Sequence, residues 1–261
     1  MIYMEKKIFF ENKDGLKLCG ILSLPKKETN KCIVLCHGIT VDKNEFGNVF
    51  KKLSDLLVKE GLATFRFDFR GHGESEGPSL DLTVTGEVRD LESAMEFLKK
   101  REFDEFGILA ASFAGGPVAL FVSKHLDNIR AIVFWNSIID YDSLLKPKLP
   151  WPKKYFGKEA MKKLERDGYI EIGRRGFKIG KPLIKELKKL KPWEKLLNVK
   201  IPMLFIHGDA DTYVPYNDSV KYSKMLDAKL VTVENGEHGL NEPEEFEKAS
   251  KSAIEFFKKF L

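Results

Sequence analysis

The stretch FGILAASFAGGPVAL, residues 106–120, joins an apolar run, a turn of very small residues around one serine, and a second apolar segment. Residues 106–111 are typical of a short buried strand. The residues after the turn are typical of the start of a helix. Small side chains on both sides of Ser112 let the chain turn sharply enough to push the hydroxyl out of the sheet. The stretch therefore predicts a serine presented at the end of a strand.

Two interpretations fit this turn. A nucleophilic serine at such a turn usually has the pattern G-x-S-x-G, but here Ala110 and Ala114 stand at the two glycine positions. The alternative is an ordinary strand-to-helix turn in which Ser112 only caps the helix. The motif alone does not choose between them, so the choice depends on the rest of the chain.

Two later segments favour the nucleophile. The sequence HGDAD (residues 207–211) ends a later apolar strand, and EHG (residues 237–239) precedes the last helix. A serine hydroxyl is a poor nucleophile at neutral pH and needs an adjacent base, which in turn needs a group to orient it. The order serine, acid, histidine along the chain is the order expected of α/β-hydrolases.

Among the five histidines, His238 is the best candidate for the base. It lies between Gly236 and Gly239 on a loop after the last strand, where it is free to reach the serine. The other four have simpler explanations as turn or helix-end residues; they are His37, His72, His125 and His207.

Three acids compete to orient the histidine. Asp209 and Asp211 lie in the loop after a strand, at the edge where α/β sheets place ligands, and Asp140 also follows a strand. One of the first two is expected to form a turn, because aspartate readily bonds its own backbone. Spacing leaves all three open.

A tetrahedral intermediate needs two preorganised N–H donors for its oxyanion. One is expected from the residue after the nucleophile, Phe113. The other is expected from the turn after the strand that ends near Leu35, where Ile39 offers its main-chain N–H.

Strand and helix patterns alternate over most of the chain, which predicts an α/β fold: a mostly parallel central sheet with helices on both faces. The expected elements include a helix from Phe46 to Glu60 and strands from Ile129 to Trp135 and from Lys229 to Val233. The alternation breaks over residues 140–191, where a short helix at 159–166 and a hairpin at 169–179 around Arg174–Gly176 are expected. We therefore predict a core of residues 1–139 and 192–261 with an inserted lid of residues 140–191.

Composition excludes several classes of protein. The 261 residues carry a net charge of +5, with 43% apolar and 32% charged residues, and the lysines are scattered without a nucleic-acid-binding motif. Residues 1–10 have no apolar run of signal-peptide length, and no segment is long enough to span a membrane. Cys19, Cys32 and Cys36 are expected to be buried thiols in a reducing compartment. A cytoplasmic protein without nucleic-acid or membrane partners is predicted.

The chain resembles the α/β-hydrolases and is similar to the cinnamoyl (feruloyl) esterase-like lineage of carboxylesterases. Besides the serine turn, the matching segments are residues 37–40 (HGIT), 43–45 (KNE), 67–75 (FDFRGHGES), 207–215 (HGDADTYVP) and 236–238 (GEH). The resemblance implies that Asp211 is the acid and Asp209 a structural residue. It also implies hydrolysis of carboxylic esters through an acyl-enzyme, without a metal or cofactor.

We therefore expect a serine ester hydrolase acting on a small-molecule ester, with Ser112, His238 and Asp211 as the triad. In the lid, Trp151 and Tyr155 are candidate substrate-binding residues, although they could equally pack the lid onto the core. The lid is rich in lysine, which suits an anionic acyl group. A peptidase, amidase or thioesterase with the same triad, and a non-catalytic binding protein on this fold, are the alternatives. A homo-oligomer is compatible with the sequence.

Overall fold

A computed structural model describes residues 4–173 and 175–261 of the protein. In chain order, its strands are β1 (Met4–Glu11), β2 (Lys17–Leu24), β3 (Lys31–Cys36), β4 (Ala63–Phe67), β5 (Glu105–Ala111), β6 (Ile129–Trp135), β7 (Tyr169–Ile172), β8 (Phe177–Gly180), β9 (Met203–Gly208) and β10 (Lys229–Val233). Eight of them form one sheet in the order β1-β2-β4-β3-β5-β6-β9-β10, and β7 pairs with β8. The six strands β4, β3, β5, β6, β9 and β10 run parallel to one another. At one edge of the sheet, β2 runs antiparallel to both β4 and β1.

Helices cover both faces of this sheet. In chain order they are α1 (Val49–Lys59), α2 (Val84–Lys99), α3 (Gly115–Val122), α4 (Asp142–Leu145), α5 (Pro150–Phe156), α6 (Lys158–Asp167), α7 (Lys181–Leu187), α8 (Pro192–Leu196), α9 (Tyr216–Met225) and α10 (Pro243–Phe260). Helices α1 and α10 pack on one face, whereas α2, α3 and α8 pack on the other. The predicted α/β fold is confirmed.

Strand β3 shows why the apolar runs become central strands. Cys32 and Val34 belong to the core on one face of the sheet, and Ile33 and Leu35 to the core on the other. Successive side chains of a strand point to opposite faces, so a strand buried on both sides must be apolar throughout. Because parallel strands end at the same edge, the loops that follow β3, β5, β9 and β10 converge there.

Helix α1 begins at Val49, three residues later than the apolar spacing predicts. Glu45, Gly47 and Asn48 have φ angles of 61°, 66° and 58°, in the left-handed region. The chain therefore makes a short 3₁₀ turn before the helix, and Phe46 is 53% exposed instead of joining the core.

The segment of residues 140–191, which we call the insertion, holds α4 to α7 and the β7-β8 pair. The expected short helix is α6, and the expected hairpin is the β7-β8 pair, although Arg174 lies outside the described residues. Helices α5 and α7 were not predicted. Both have proline in the first turn, where the missing N–H costs nothing, so these prolines mark helix starts.

The three cysteines are free, buried thiols, as expected. Burial raises the pKa of both Cys32 and Cys36 far above the usual value, so these thiols stay protonated. Across residues 4–173 and 175–261, every helix is either too short or too polar to cross a membrane.

Candidate active site

Ser112 occupies a strained turn between β5 and α3. Its φ angle is 48°, although it has a side chain, and the preceding residue is still in extended backbone. Such an outlier is typical of functional sites. Gly115 and Gly116 are needed behind the turn, because a Cβ would lie 2.7 Å from the main-chain oxygen of Ile138 and 1.8 Å from the Tyr141 hydroxyl, respectively.

The two alanines at the glycine positions of the motif fit this turn. Ala110 and Ala114 are fully buried in the core beneath Ser112, on the face of the sheet that α2 and α3 cover. Their methyl groups therefore take up core volume without obstructing the hydroxyl, which is half-buried at the sheet edge.

His238 and Asp211 lie in line with this serine. The Nε2 atom of His238 is 3.0 Å from Ser112 Oγ, and its Nδ1 atom is 2.7 Å from Asp211 Oδ2. The histidine loop is held by Asn136, whose side-chain amide donates to the main-chain oxygens of Glu237 and His238. The structure thus brings together the three residues expected from the sequence.

Four nitrogen atoms surround the carboxylate of Asp211. Its Oδ1 atom is 2.7 Å from the amide nitrogen of Tyr213 and 2.9 Å from that of Val214. Its Oδ2 atom faces His238 and also lies 3.2 Å from Nε2 of His207. Burial raises the pKa of Asp211, but the charge of His238 and the hydrogen bonds from both histidines outweigh it. The pKa is thus held well below its usual range, and Asp211 is ionised at neutral pH.

The contact between His207 and Asp211 is absent from the sequence-based expectations. His207 is fully buried, and its Nδ1 atom lies 2.7 Å from the hydroxyl of Ser219. The four-residue spacing from His207 to Asp211 was visible in the HGDAD segment. Because His207 ends a strand and is followed by Gly208, the sequence alone indicates only a turn residue there.

The two other candidate acids have structural partners elsewhere. Asp209 accepts the main-chain N–H of Asn235 at 2.7 Å. Asp140 accepts the hydroxyl of Tyr222 and the main-chain N–H of Asp142. Of the three acids that the sequence left open, Asp211 is the one that contacts His238.

The loop after β3 passes directly against Ser112. A Cβ built on Gly38 would lie 2.9 Å from the Cβ of Ser112, so only a glycine allows this approach. Ile39 follows Gly38 in this loop, and Phe113 follows Ser112 at the start of the 3₁₀ turn that leads into α3. Phe113 thus adjoins the serine along the chain, and Ile39 is next to the glycine that approaches it.

A stack of aromatic rings connects the histidine to the insertion. Tyr213 lies on the ring of His238, with centroids 4.7 Å apart and planes 5° apart. Trp151 of α5 stacks on Tyr213 at 5.2 Å, and Tyr155 contacts Trp151 at 5.0 Å. The two residues expected to bind substrate are therefore the second and third rings from the histidine.

Cys19, Asp68 and Glu74 are close enough together to resemble a metal site. The ammonium group of Lys43 lies 2.7 Å from Asp68 and 3.0 Å from Glu74. It supplies the positive charge that these carboxylates require, so this cluster is better described as an ion-pair network that holds the loop after β3.

Comparison with known proteins identifies the family and the fold. The family model described as serine aminopeptidase, S33, matches residues 27–244. Serine hydrolase BPHL of Mus musculus is 25% identical over 193 residues, which cover 71% of this chain and 66% of that protein. The structure of Est1E from Butyrivibrio proteoclasticus with bound ferulic acid has a TM-score of 0.82 at 23% identity, covering 97% of this chain and 98% of that one. The Pyrococcus furiosus esterase Pf2001 has a TM-score of 0.72 at 19% identity, covering 99% and 93%. At these identities the structural likeness establishes a common fold.

Proposed function

Because the chain belongs to the serine aminopeptidase S33 family of α/β-hydrolases, we propose that it hydrolyses carboxylic esters with Ser112, His238 and Asp211 as catalytic triad. The observation that carries the proposal is the unbroken line of hydrogen bonds from Asp211 through His238 to the Ser112 hydroxyl. A nucleophilic serine requires an adjacent base, and the base requires a group that orients it; His238 and the ionised, buried carboxylate of Asp211 meet these two requirements.

In the proposed reaction, Ser112 Oγ attacks the ester carbonyl carbon while Nε2 of His238 takes the hydroxyl proton. The carbonyl oxygen becomes an oxyanion, which the N–H groups of Ile39 and Phe113 bind. When the intermediate collapses, the ester C–O bond breaks and His238 returns the proton to the leaving alcohol. Water then attacks the acyl-enzyme by the same route and releases the acid.

We further propose that the insertion is a lid over the substrate and that the core consists of residues 1–139 and 192–261. The stack of Trp151 and Tyr213 on His238 supports this, because it forms an aromatic wall beside the reacting atoms. An aromatic wall favours flat, apolar acyl groups such as cinnamoyl esters. Est1E, which shares the fold, has been solved with ferulic acid bound.

Measuring the rates of hydrolysis of a series of esters and of a set of amides tests the proposal. We expect turnover of p-nitrophenyl esters from acetate to octanoate and of methyl ferulate, with slower or no turnover of aminoacyl p-nitroanilides. An organophosphonate probe should add its mass to the wild-type protein at Ser112 and leave Ser112→Ala unmodified. Preferential cleavage of the anilides would assign the protein to the aminopeptidases that name the family. The absence of both turnover and labelling would indicate a binding protein.

The pH profile should show the ionisation of His238. Burial lowers the pKa of His238, but the charge of Asp211 and their hydrogen bond outweigh it, so the pKa lies above the usual 6.5. Only the neutral imidazole can accept the serine proton, so kcat/KM should rise with pH through that pKa. Measurement of kcat/KM for p-nitrophenyl acetate over about pH 5 to 9 should give an acid limb with its midpoint above 6.5. A midpoint below 6.5 would contradict this ionisation.

A further inference from the structure

The direction of one proposed oxyanion donor depends on a single peptide unit. Gly38 and Ile39 are joined by a trans peptide bond, so the Gly38 carbonyl and the Ile39 N–H point in opposite directions. Any group that holds the Gly38 carbonyl therefore also sets the direction of the Ile39 N–H. Two ionisable side chains hold Gly38, one at each end.

His37 holds the carbonyl end. Its Nδ1 atom lies 2.7 Å from Gly38 O, and its Nε2 atom lies 3.0 Å from the main-chain nitrogen of Phe69. The Phe69 N–H can only donate, so Nε2 is the acceptor and Nδ1 carries the proton that is donated to Gly38. Burial lowers the pKa of His37 to about 4, which keeps the ring neutral in this tautomer near neutral pH.

Glu45 holds the amide end. Its Oε2 atom lies 3.3 Å from the Gly38 nitrogen. A Cβ placed on Gly38 would lie 3.3 Å from Glu45 Oε1 and 3.4 Å from Ser112 Oγ, so the carboxyl and the nucleophile flank the same side of the glycine. The carboxyl is thus part of the surroundings of the reacting atoms.

This placement of Glu45 strains the backbone. Its φ and ψ angles are 61° and 172°, a region that is essentially reserved for glycine. The two preceding residues are tied down: Lys43 donates to Asp68 from both its main-chain N (2.6 Å) and Nζ (2.7 Å). Asn44 Oδ1 accepts from Arg66 Nε at 3.2 Å. The surrounding contacts therefore impose the conformation that brings the carboxyl to Gly38.

We propose that Glu45 and His37 are positioning residues that hold Gly38 at both ends and thereby preorganise the Ile39 N–H toward the oxyanion. The inference rests on the proposed ester hydrolysis. An oxyanion hole is effective because its donors are in place before the charge develops. Glycine would adopt the backbone of position 45 more easily, but it has no carboxyl with which to hold Gly38.

We call this holding of Gly38 by Glu45 and His37 the Gly38 clamp. It requires a hydrogen-bond acceptor at position 45 and does not require a charge there. Burial raises the pKa of Glu45 to about 7, with Gly38 and His238 acting to lower it and Asp42 to raise it. The carboxylate and the carboxylic acid both have an oxygen that can accept the Gly38 N–H. A glutamine at this position keeps that oxygen, whereas an alanine removes it.

Three variants of the full chain separate these roles, each assayed with p-nitrophenyl acetate. For Glu45→Ala we expect a fall in kcat on the order of 10 to 100-fold, with KM within about threefold of the wild type. The reason is that the lost hydrogen bond helps to stabilise the transition state and not the bound substrate. Glu45→Gln should stay within about threefold of the wild-type kcat. The control is Glu237→Ala, which removes an exposed carboxylate that also raises the pKa of His238 but makes no hydrogen bond to Gly38.

A fourth variant separates positioning from folding. Glu45→Gly removes the carboxyl and also the strain, so we expect a melting temperature no lower than that of the wild type together with the kcat loss of Glu45→Ala. A residue with a merely structural role would lose stability and activity together.

Several outcomes would contradict the proposed Gly38 clamp. These are an unchanged kcat in Glu45→Ala, an equal loss of kcat in Glu45→Gln, or an equal loss of kcat in Glu237→Ala. The wild-type rate and its labelling at Ser112 report on the proposed ester hydrolysis separately. If the wild type neither turns over an ester nor reacts with the phosphonate, both proposals fail.

Discussion

Replacement of Ser112 by alanine should lower kcat for p-nitrophenyl acetate by a factor on the order of 10⁶, to a residual rate supported by the oxyanion hole and binding alone. His238 Nε2, 3.0 Å from the hydroxyl, would retain its position but have no nucleophile to activate. Alanine tolerates the φ angle of 48° no better than serine does, so the strain of the turn is unchanged. The melting temperature should therefore move little while turnover is lost.

Ser123→Ala is the matched control for this substitution. Its hydroxyl donates to the Leu120 main-chain oxygen at the far end of α3, so the variant loses a hydroxyl from the same helix region without touching the site. We expect its kcat to stay within about twofold of the wild type. If Ser112→Ala retained more than about 1% of the wild-type kcat, the serine could not be the nucleophile.

The sheet could be predicted because its signal is local. Strands β6 and β10 occur at the residues where the sequence places them, Ile129–Trp135 and Lys229–Val233. A central parallel strand must be apolar along its length, and the helices between such strands show their own spacing. Alternation of the two patterns is sufficient to indicate a mostly parallel sheet.

Features that depend on contacts between distant segments could not be predicted in this way. The apolar spacing before α1 includes Phe46, but the ties of Lys43 to Asp68 and of Asn44 to Arg66 shape the preceding turn. In the insertion, no helix is predicted at Pro150, although this proline begins one. The first error comes from giving local spacing more weight than the packing around it. The second comes from missing a local signal, proline in the first turn of a helix.

The three candidate catalytic residues could be predicted from the sequence, whereas the side chains that hold them in place could not. The serine, the acid and the histidine lie in motifs whose order is informative, so their residues could be proposed without coordinates. The side chains behind them, His207 and Glu45, act through single contacts made across the fold. No spacing rule identifies such partners, because each contact joins loops that meet only at the sheet edge.

Replacement of Asp211 by asparagine should lower kcat by a factor on the order of 10⁴ with little change in fold. The main-chain N–H groups of Tyr213 and Val214 both donate to Oδ1, so the amide oxygen of an asparagine would be held there. Its NH₂ group would then face His238 Nδ1 in place of the carboxylate oxygen at 2.7 Å. Kinetics of p-nitrophenyl acetate hydrolysis measure the effect.

The large effect follows from the tautomer of His238. An NH₂ group donates, so His238 Nδ1 would have to be the acceptor, and the proton would move to Nε2, which could then no longer take the proton of Ser112. The loss of the Asp211 charge should also lower the pKa of His238 and move the acid limb of kcat/KM to lower pH. Asp209→Asn is the control, since Asp209 accepts only the Asn235 N–H among the described contacts and should leave kcat within about twofold. A kcat for Asp211→Asn within about tenfold of the wild type would mean that His238 keeps its tautomer without the carboxylate, and the triad assignment would then be wrong.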